Sequence, residues 1–206
     1  FGSTFDIISA LEKAVDPDGD PQTRDGAQII NMSLGNDGRD ANDPLVVAVN
    51  NAAKAGALVV VAAGNSGPNL ESLGSPGIAA EALTVANTSK TDAVSYDSSR
   101  GPGVAGALLK PEIAAPGSSI YAAIPDNKYE YKSGTSMAAP HVAGAAALLL
   151  QAEPTLTALQ LKQRLVQNSD PLKESFWDHG TGRLNVLKAV RGQVALDQNA
   201  LYLGLL

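Results

Sequence analysis

Cysteine is absent from this 206-residue chain, which excludes disulfides, thiolate nucleophiles and Cys-ligated zinc. Histidine is scarce: the two that occur are His141 and His179. Charged residues make up 17% and aromatics 4%, with a formal net charge of −6. A mildly acidic chain without a Lys/Arg cluster is not built to hold nucleic acid. Long apolar runs are missing too. The longest, Val142 to Leu150, is rich in alanine and too short to span a bilayer, so no membrane association is expected. No signal peptide is expected within these residues, and the chain opens Phe1-Gly2-Ser3 without methionine, the start expected of a processed or engineered fragment.

What is present suits one globular domain, with 44% hydrophobic residues of mostly small size. Ser3-Thr4-Phe5-Asp6 has the form of a capping box. Phe5, Ile8, Leu11 and Val15 follow at helical spacing, so residues 4–15 read as an amphipathic helix. Ala27 to Leu34 and Ala57 to Ala62 read as buried strands; between them lies a helix opened by Asp43-Pro44 and stopped at Gly56. Leu83 to Ala86 and Ile113 to Ala115 read as two more strands, and Tyr129 to Tyr131 as half of a hairpin. A long helix from Ser136 to about Gln151 is broken by Glu153-Pro154. Leu156 to Val166 and Asn185 to Val190 read as two shorter helices. Alternating strands and helices with wholly apolar strands predict an α/β fold of three layers, a mostly parallel sheet flanked by helices. The expected organisation is one domain over residues 1–192 followed by a tail, 193–206.

The richest stretch is Ser133-Gly134-Thr135-Ser136-Met137-Ala138-Ala139-Pro140-His141-Val142-Ala143-Gly144. A loop-permissive Gly-Thr-Ser segment feeds directly into an apolar helix. That puts the Ser136 hydroxyl at a helix N-terminus, where free N–H groups and the macrodipole favour developing negative charge. Acyl-transfer chemistry uses such a place for a nucleophile and one oxyanion donor.

This run resembles, nearly letter for letter, the nucleophile motif of the subtilisin-like serine peptidases. Two further segments resemble that family in the same order. Val59 to Pro68 contains Gly64-Asn65 after a buried strand. Alone, such a pair reads as a turn in left-handed geometry; the resemblance implies that Asn65 is the side-chain oxyanion donor beside the Ser136 N–H. Ile30 to Gly35 ends in Ser33-Leu34-Gly35, which alone is only a strand-to-loop ending. The resemblance implies that Ser33, Leu34 and Gly35 line one side of a substrate cleft, with Ala62, Ala63 and Gly64 on the other. Small walls of this kind leave room for a large apolar side chain. The segments around Lys110 to Gly117 and Ser98 to Pro102 resemble structural motifs of the same family.

A serine nucleophile needs a base, normally a histidine oriented by a carboxylate. The family supplies Asp, His and Ser in that chain order, yet no histidine precedes Ser136. His141 lies five residues on along the same helix, about 140° round and about 7.5 Å further along, and is out of reach. His179, in Asp178-His179-Gly180-Thr181-Gly182, follows the nucleophile and fits a closing Gly-x-Gly-x-x-Asn-Val pattern at Gly180 to Val186. Both histidines are therefore read as structural.

Asp16, Asp18 and Asp20, with Asp25 downstream, make an acidic loop. It reads as a solvated loop or, alternatively, as a site for Ca²⁺ through oxygen ligands. The spacing departs from a calcium loop, since Ala27 stands where a closing Glu would be.

The resemblance implies the C-terminal part of a secreted serine endopeptidase domain, requiring no cofactor. Its partners would be a peptide or protein substrate and the missing N-terminal part of its own domain. Alone it should be inactive and prone to self-association through an exposed sheet edge. Two alternatives compete. A pseudopeptidase that only binds peptides would have no need of Ser136. An esterase would carry Gly-x-Ser-x-Gly, where this chain has Gly134-Thr135-Ser136-Met137-Ala138.

Overall fold

Four apolar segments pair side by side in the computed structural model, which describes residues 2–20, 22, 23, 25–104 and 109–192. These are β1 (Ile29–Met32), β2 (Leu58–Ala62), β3 (Leu83–Thr88) and β4 (Ile113–Pro116), all parallel, in the spatial order β1-β2-β3-β4. Ile29 lies opposite Leu58, Val60 opposite Leu83 and Val85 opposite Ile113. Parallel sheets are covered on both faces, and β2 is buried at every position.

Alternation then divides the core in two. Leu58, Val60 and Ala62 join Leu83, Val85, Ile113 and Ala115 against Ala138, Val142, Ala145 and Leu149 of α3 (Thr135–Ala152). Leu161 and Leu165 of α4 (Ala158–Gln167) and Ala189 of α6 (Val186–Arg191) complete that layer. Val59 and Val61 point the other way, toward Leu11 of α1 (Thr4–Val15) and Leu45, Val46 and Val49 of α2 (Pro44–Lys54). The three-layer α/β reading of the sequence is the fold observed.

Local chemistry sets the ends of these elements. Ser3 and Asp6 form the reciprocal capping box at α1, and Asp43 Oδ1 accepts the Leu45 N–H at α2. The chain leaves α2 through Gly56 at φ +113°, a backbone conformation that suits glycine. β1 is shorter than Ala27 to Leu34 because the Ala27 N–H is taken by the Ala14 carbonyl at 2.7 Å and Leu34 is exposed. α4 starts at Ala158 rather than Leu156, since Thr157 and Gln160 form a second capping box that the sequence reading passed over.

Two elements were not anticipated, β5 (Ile120–Ile124) and the short α5 (Phe176–His179). β5 pairs antiparallel with β6 (Lys128–Lys132), setting Tyr121 opposite Tyr131 and Ala123 opposite Tyr129. The exposed rings of Tyr121, Tyr129 and Tyr131 pack together, with centroids 4.8 and 5.5 Å apart. The expected tail, 193–206, lies outside the described residues. Among the described residues no helix is long and apolar enough to cross a membrane.

A buried charge cluster pins β4 to β3 and α4. Lys110, 1% exposed, donates to the Ala82 carbonyl (2.7 Å), Thr84 Oγ1 (3.1 Å) and Glu112 Oε1 (2.7 Å). Lys162 Nζ reaches the same Glu112 oxygen at 2.8 Å, and Glu112 Oε2 accepts the Thr84 N–H at 2.8 Å. Burial pushes the Lys110 ammonium down to about 8 against the pull of Glu112. Burial alone would raise Glu112, but the Lys110 and Lys162 charges outweigh it and hold the carboxyl below its ordinary value.

The consequences for stability have opposite signs on the two limbs. Glu112 stabilises the fold above the ordinary carboxyl value of 4.5, and that contribution is lost as pH falls through the lower folded value. Lys110 keeps its proton in the unfolded chain between about 8 and 10.5, so its contribution rises with pH across that window. Removing the one carboxylate shared by buried Lys110 and half-buried Lys162 costs about 3–5 kcal/mol. Urea unfolding of Glu112→Gln is expected to show a loss of that size at neutral pH, together with a flatter acid limb.

Candidate active site

The helix α3 begins on Gly134, at φ +145°, with no side-chain cap. Its first N–H groups must therefore find acceptors elsewhere. The Thr135 N–H donates to Asn65 Oδ1 at 3.0 Å, while the Met137 and Ala138 N–H groups both turn back to the Gly134 carbonyl at 3.0 and 3.4 Å. The Ser136 N–H donates to no group among the described residues.

Asn65 follows β2 at the C-terminal end of the sheet, where parallel α/β folds place ligand groups. A backbone N–H can only donate, so the Thr135 N–H fixes Oδ1 toward the helix and turns Nδ2 away from it. Thr135 Oγ1 adds a second bond to Oδ1 at 3.2 Å and itself accepts the Gly64 N–H at 3.2 Å. Asn65 Nδ2 donates to no partner among the described residues. Gly134 must stay small here, because a Cβ would sit 3.3 Å from Asn65 Oδ1 in addition to the strained φ.

Pro140 shapes the other side of Ser136. It has no N–H, so the Ser136 carbonyl four residues earlier loses its helical donor. Ser33 Oγ fills that place at 2.9 Å, and Ser136 Oγ in return donates to the Ser33 carbonyl at 3.3 Å. The end of β1 is thereby tied to the first turn of α3.

Beside this junction opens a cavity of about 330 Å³ whose lining includes Leu34, Gly35, Ala62, Ala63, Gly64, Asn65 and Ser136. Ser33 does not line it and instead braces Ser136. Neither histidine lines it either. His141 is exposed with Nδ1 on the Met137 carbonyl at 2.8 Å, and His179 is buried with Nε2 on the Glu174 carbonyl at 3.0 Å. Sequence reasoning missed Thr135, although it stands inside the quoted motif, and Asp37 and Ser66, which meet across 29 positions and carry no local signal.

In the acidic loop, carboxylate oxygens of Asp16, Asp18 and Asp25 lie within 4.8 Å of one another. Asp20 is not in that group; its Oδ1 accepts the Gln22 N–H instead. The Asp20 N–H, donated to Asp18 at 2.8 Å, holds that carboxyl below its ordinary value, helped by Thr23. The loop's own donors serve these oxygens, the Gly19 N–H meeting Asp16 and the Asp20 N–H meeting Asp18.

A serine at a helix N-terminus, a side-chain amide aimed away from that helix and a cavity at the sheet's C-terminal edge stand together in one α/β site. The subtilase family pattern (Peptidase_S8) matches residues 1–183, and the chain belongs to that family. It is 38% identical over 218 residues to the serine protease AprX of Bacillus subtilis (strain 168) and 39% identical over 193 residues to subtilisin DY of Bacillus licheniformis. These alignments take in 93% and 92% of this chain but 49% and 64% of the relatives, so the chain spans about half to two thirds of their length. Among solved structures it resembles a protease from Pseudoalteromonas arctica PAMC 21717 (TM-score 0.78, 31% identity, 92% of this chain, 59% of that one). It also resembles the S41 psychrophilic protease (TM-score 0.80, 32% identity, 90% and 64%).

Thr135 is the joint of this arrangement. Thr135→Val keeps the shape but removes the acceptor of the Gly64 N–H and a donor to Asn65. Equilibrium unfolding is expected to show a loss of about 1–3 kcal/mol, the cost of leaving a buried polar group unpaired.

Proposed function

We propose that this chain is the nucleophile-bearing part of a serine endopeptidase that hydrolyses peptide bonds through an acyl-enzyme. The observation that carries the reading is the pair of unspent donors, the Ser136 N–H and Asn65 Nδ2, beside the Ser136 hydroxyl. Ser136 Oγ adds to the scissile carbonyl carbon and gives its proton to a base. The carbonyl oxygen takes up the negative charge and is met by the two donors. Collapse of the adduct expels the amine, which leaves with that proton, and water then releases the acyl group.

The base and its orienting carboxylate come from a preceding part of the domain, because neither His141 nor His179 stands at Ser136. The greater length of the relatives is consistent with this. The outer edge of β1 is unpaired among the described residues, which makes it the seat for that part. Left open, the same edge is where copies of the chain self-associate. Leu34, Gly35 and Ala62 to Gly64 hold the peptide substrate. The chemistry calls for no resident cofactor, and the family resemblance puts the parent enzyme outside the cell.

A fluorophosphonate probe tests the reading. The 206-residue chain alone is expected to remain unlabelled. Adding an upstream segment with Asp and His should restore labelling that Ser136→Ala abolishes. Ser136-dependent labelling of the chain alone would remove the need for an external base, and silence of the completed domain would overturn the peptidase reading. In the completed domain Asn65→Ala should lower kcat by about 10²–10³ with KM little changed, a magnitude known from subtilisin itself.

A further inference from the structure

Among the described residues lining the cavity beside Ser136, the one ionisable side chain is that of Asp37. Its Oδ1 accepts from Ser66 Oγ at 2.7 Å, and no Lys or Arg among the described residues pairs with it. Arg39, two residues on, turns to Glu71 at 3.6 Å. Backbone bonds hold Asp37 from both sides, the Asn36 N–H on the Ser75 carbonyl (2.8 Å) and the Ser75 N–H on the Gly38 carbonyl (2.7 Å). Ser75 also lines the cavity, and although it is 1% exposed its Oγ has no hydrogen-bond partner in the described structure.

Small apolar walls, an unpaired carboxylate and an unspent hydroxyl complement a side chain with an apolar stem and a cationic, donor-rich head. We propose that Asp37 is a specificity-determining residue that selects Lys or Arg on the acyl side of the scissile bond. This rests on the reading of Ser136 as nucleophile: the residue whose carbonyl is attacked is the one whose side chain reaches the cavity bordering Ser136. The methylenes lie along Ala62, Ala63 and Gly64, and the charged head meets Asp37. An acidic side chain there is repelled. Asp37 is exposed to solvent, so screening keeps the preference modest.

Titration of the 206-residue chain with benzamidine and with its neutral analogue benzamide, followed by NMR, tests the assignment without any turnover. Benzamidine is expected to bind about fivefold more tightly at low ionic strength, with the gap closing in about 1 M salt. Asp37→Asn should abolish the gap and leave benzamide binding unchanged, while Ser136→Ala should preserve it. Equal affinity for the two probes, absence of benzamidine binding, or a gap that survives Asp37→Asn would each overturn the proposal. A chain that shows the Asp37-dependent gap but never labels after completion with its upstream segment keeps the cation site and loses the peptidase reading.

Discussion

The first N–H groups of α3 have no acceptor within the helix, and Gly134 has no side chain to offer one. Asn65 supplies the missing acceptor from the end of β2, seventy positions away along the chain. That one bond fixes which way the Asn65 amide faces. It also leaves the Ser136 N–H as the unspent donor of the first turn. The arrangement of hydroxyl, amide and N–H therefore depends on the sheet and helix being in register, since a shift of β2 against α3 would break it. Burial of alternate β2 side chains on two faces prevents such a shift.

Pro140 and Ser33 act together in the same sense. A proline inside a helix usually costs a hydrogen bond; here the freed carbonyl belongs to Ser136 and is met by a hydroxyl from the end of β1. The first turn of α3 is thus held from β1 on one side and from β2 on the other, with Gly134 tied to Gly117 beyond β4 at 3.0 Å. Three separate strand ends converge on a turn of a few residues. The Lys110–Glu112–Lys162 cluster does comparable work at the opposite end of β3 and β4, where Glu112 meets both ammonium groups.

Much of this was legible in the sequence, for identifiable reasons. Strands buried on both faces read as unbroken apolar runs, so β2 was found within a residue of its observed span. Capping signals at Ser3 and Asp43 marked α1 and α2 because a cap is a local interaction. β5 was missed because Ile120 to Ile124 carries no alternation, and its pairing is decided by Tyr131 across the hairpin. In the acidic loop the sequence points to Asp16, Asp18 and Asp20 with Asp25 downstream; the chain's turn groups Asp25 with the first two and sends Asp20 elsewhere. Ser136, Asn65 and the cavity walls came from motif and resemblance. Asp37 and Ser66 did not, because a contact between distant loops leaves no periodic trace.

The strands stand in space in the order in which they occur in the chain, β1-β2-β3-β4. Each newly made strand can thus dock on the one before it, and no later segment must thread between partners already joined. Growth of this kind is vectorial, advancing from β1 toward β4 with modest loop-closure entropy at every step. Among the described residues the opposite flank of β1 takes no part in that advance. Among the described residues, adding a strand on that flank would undo no pairing already made, the property on which split-protein complementation depends.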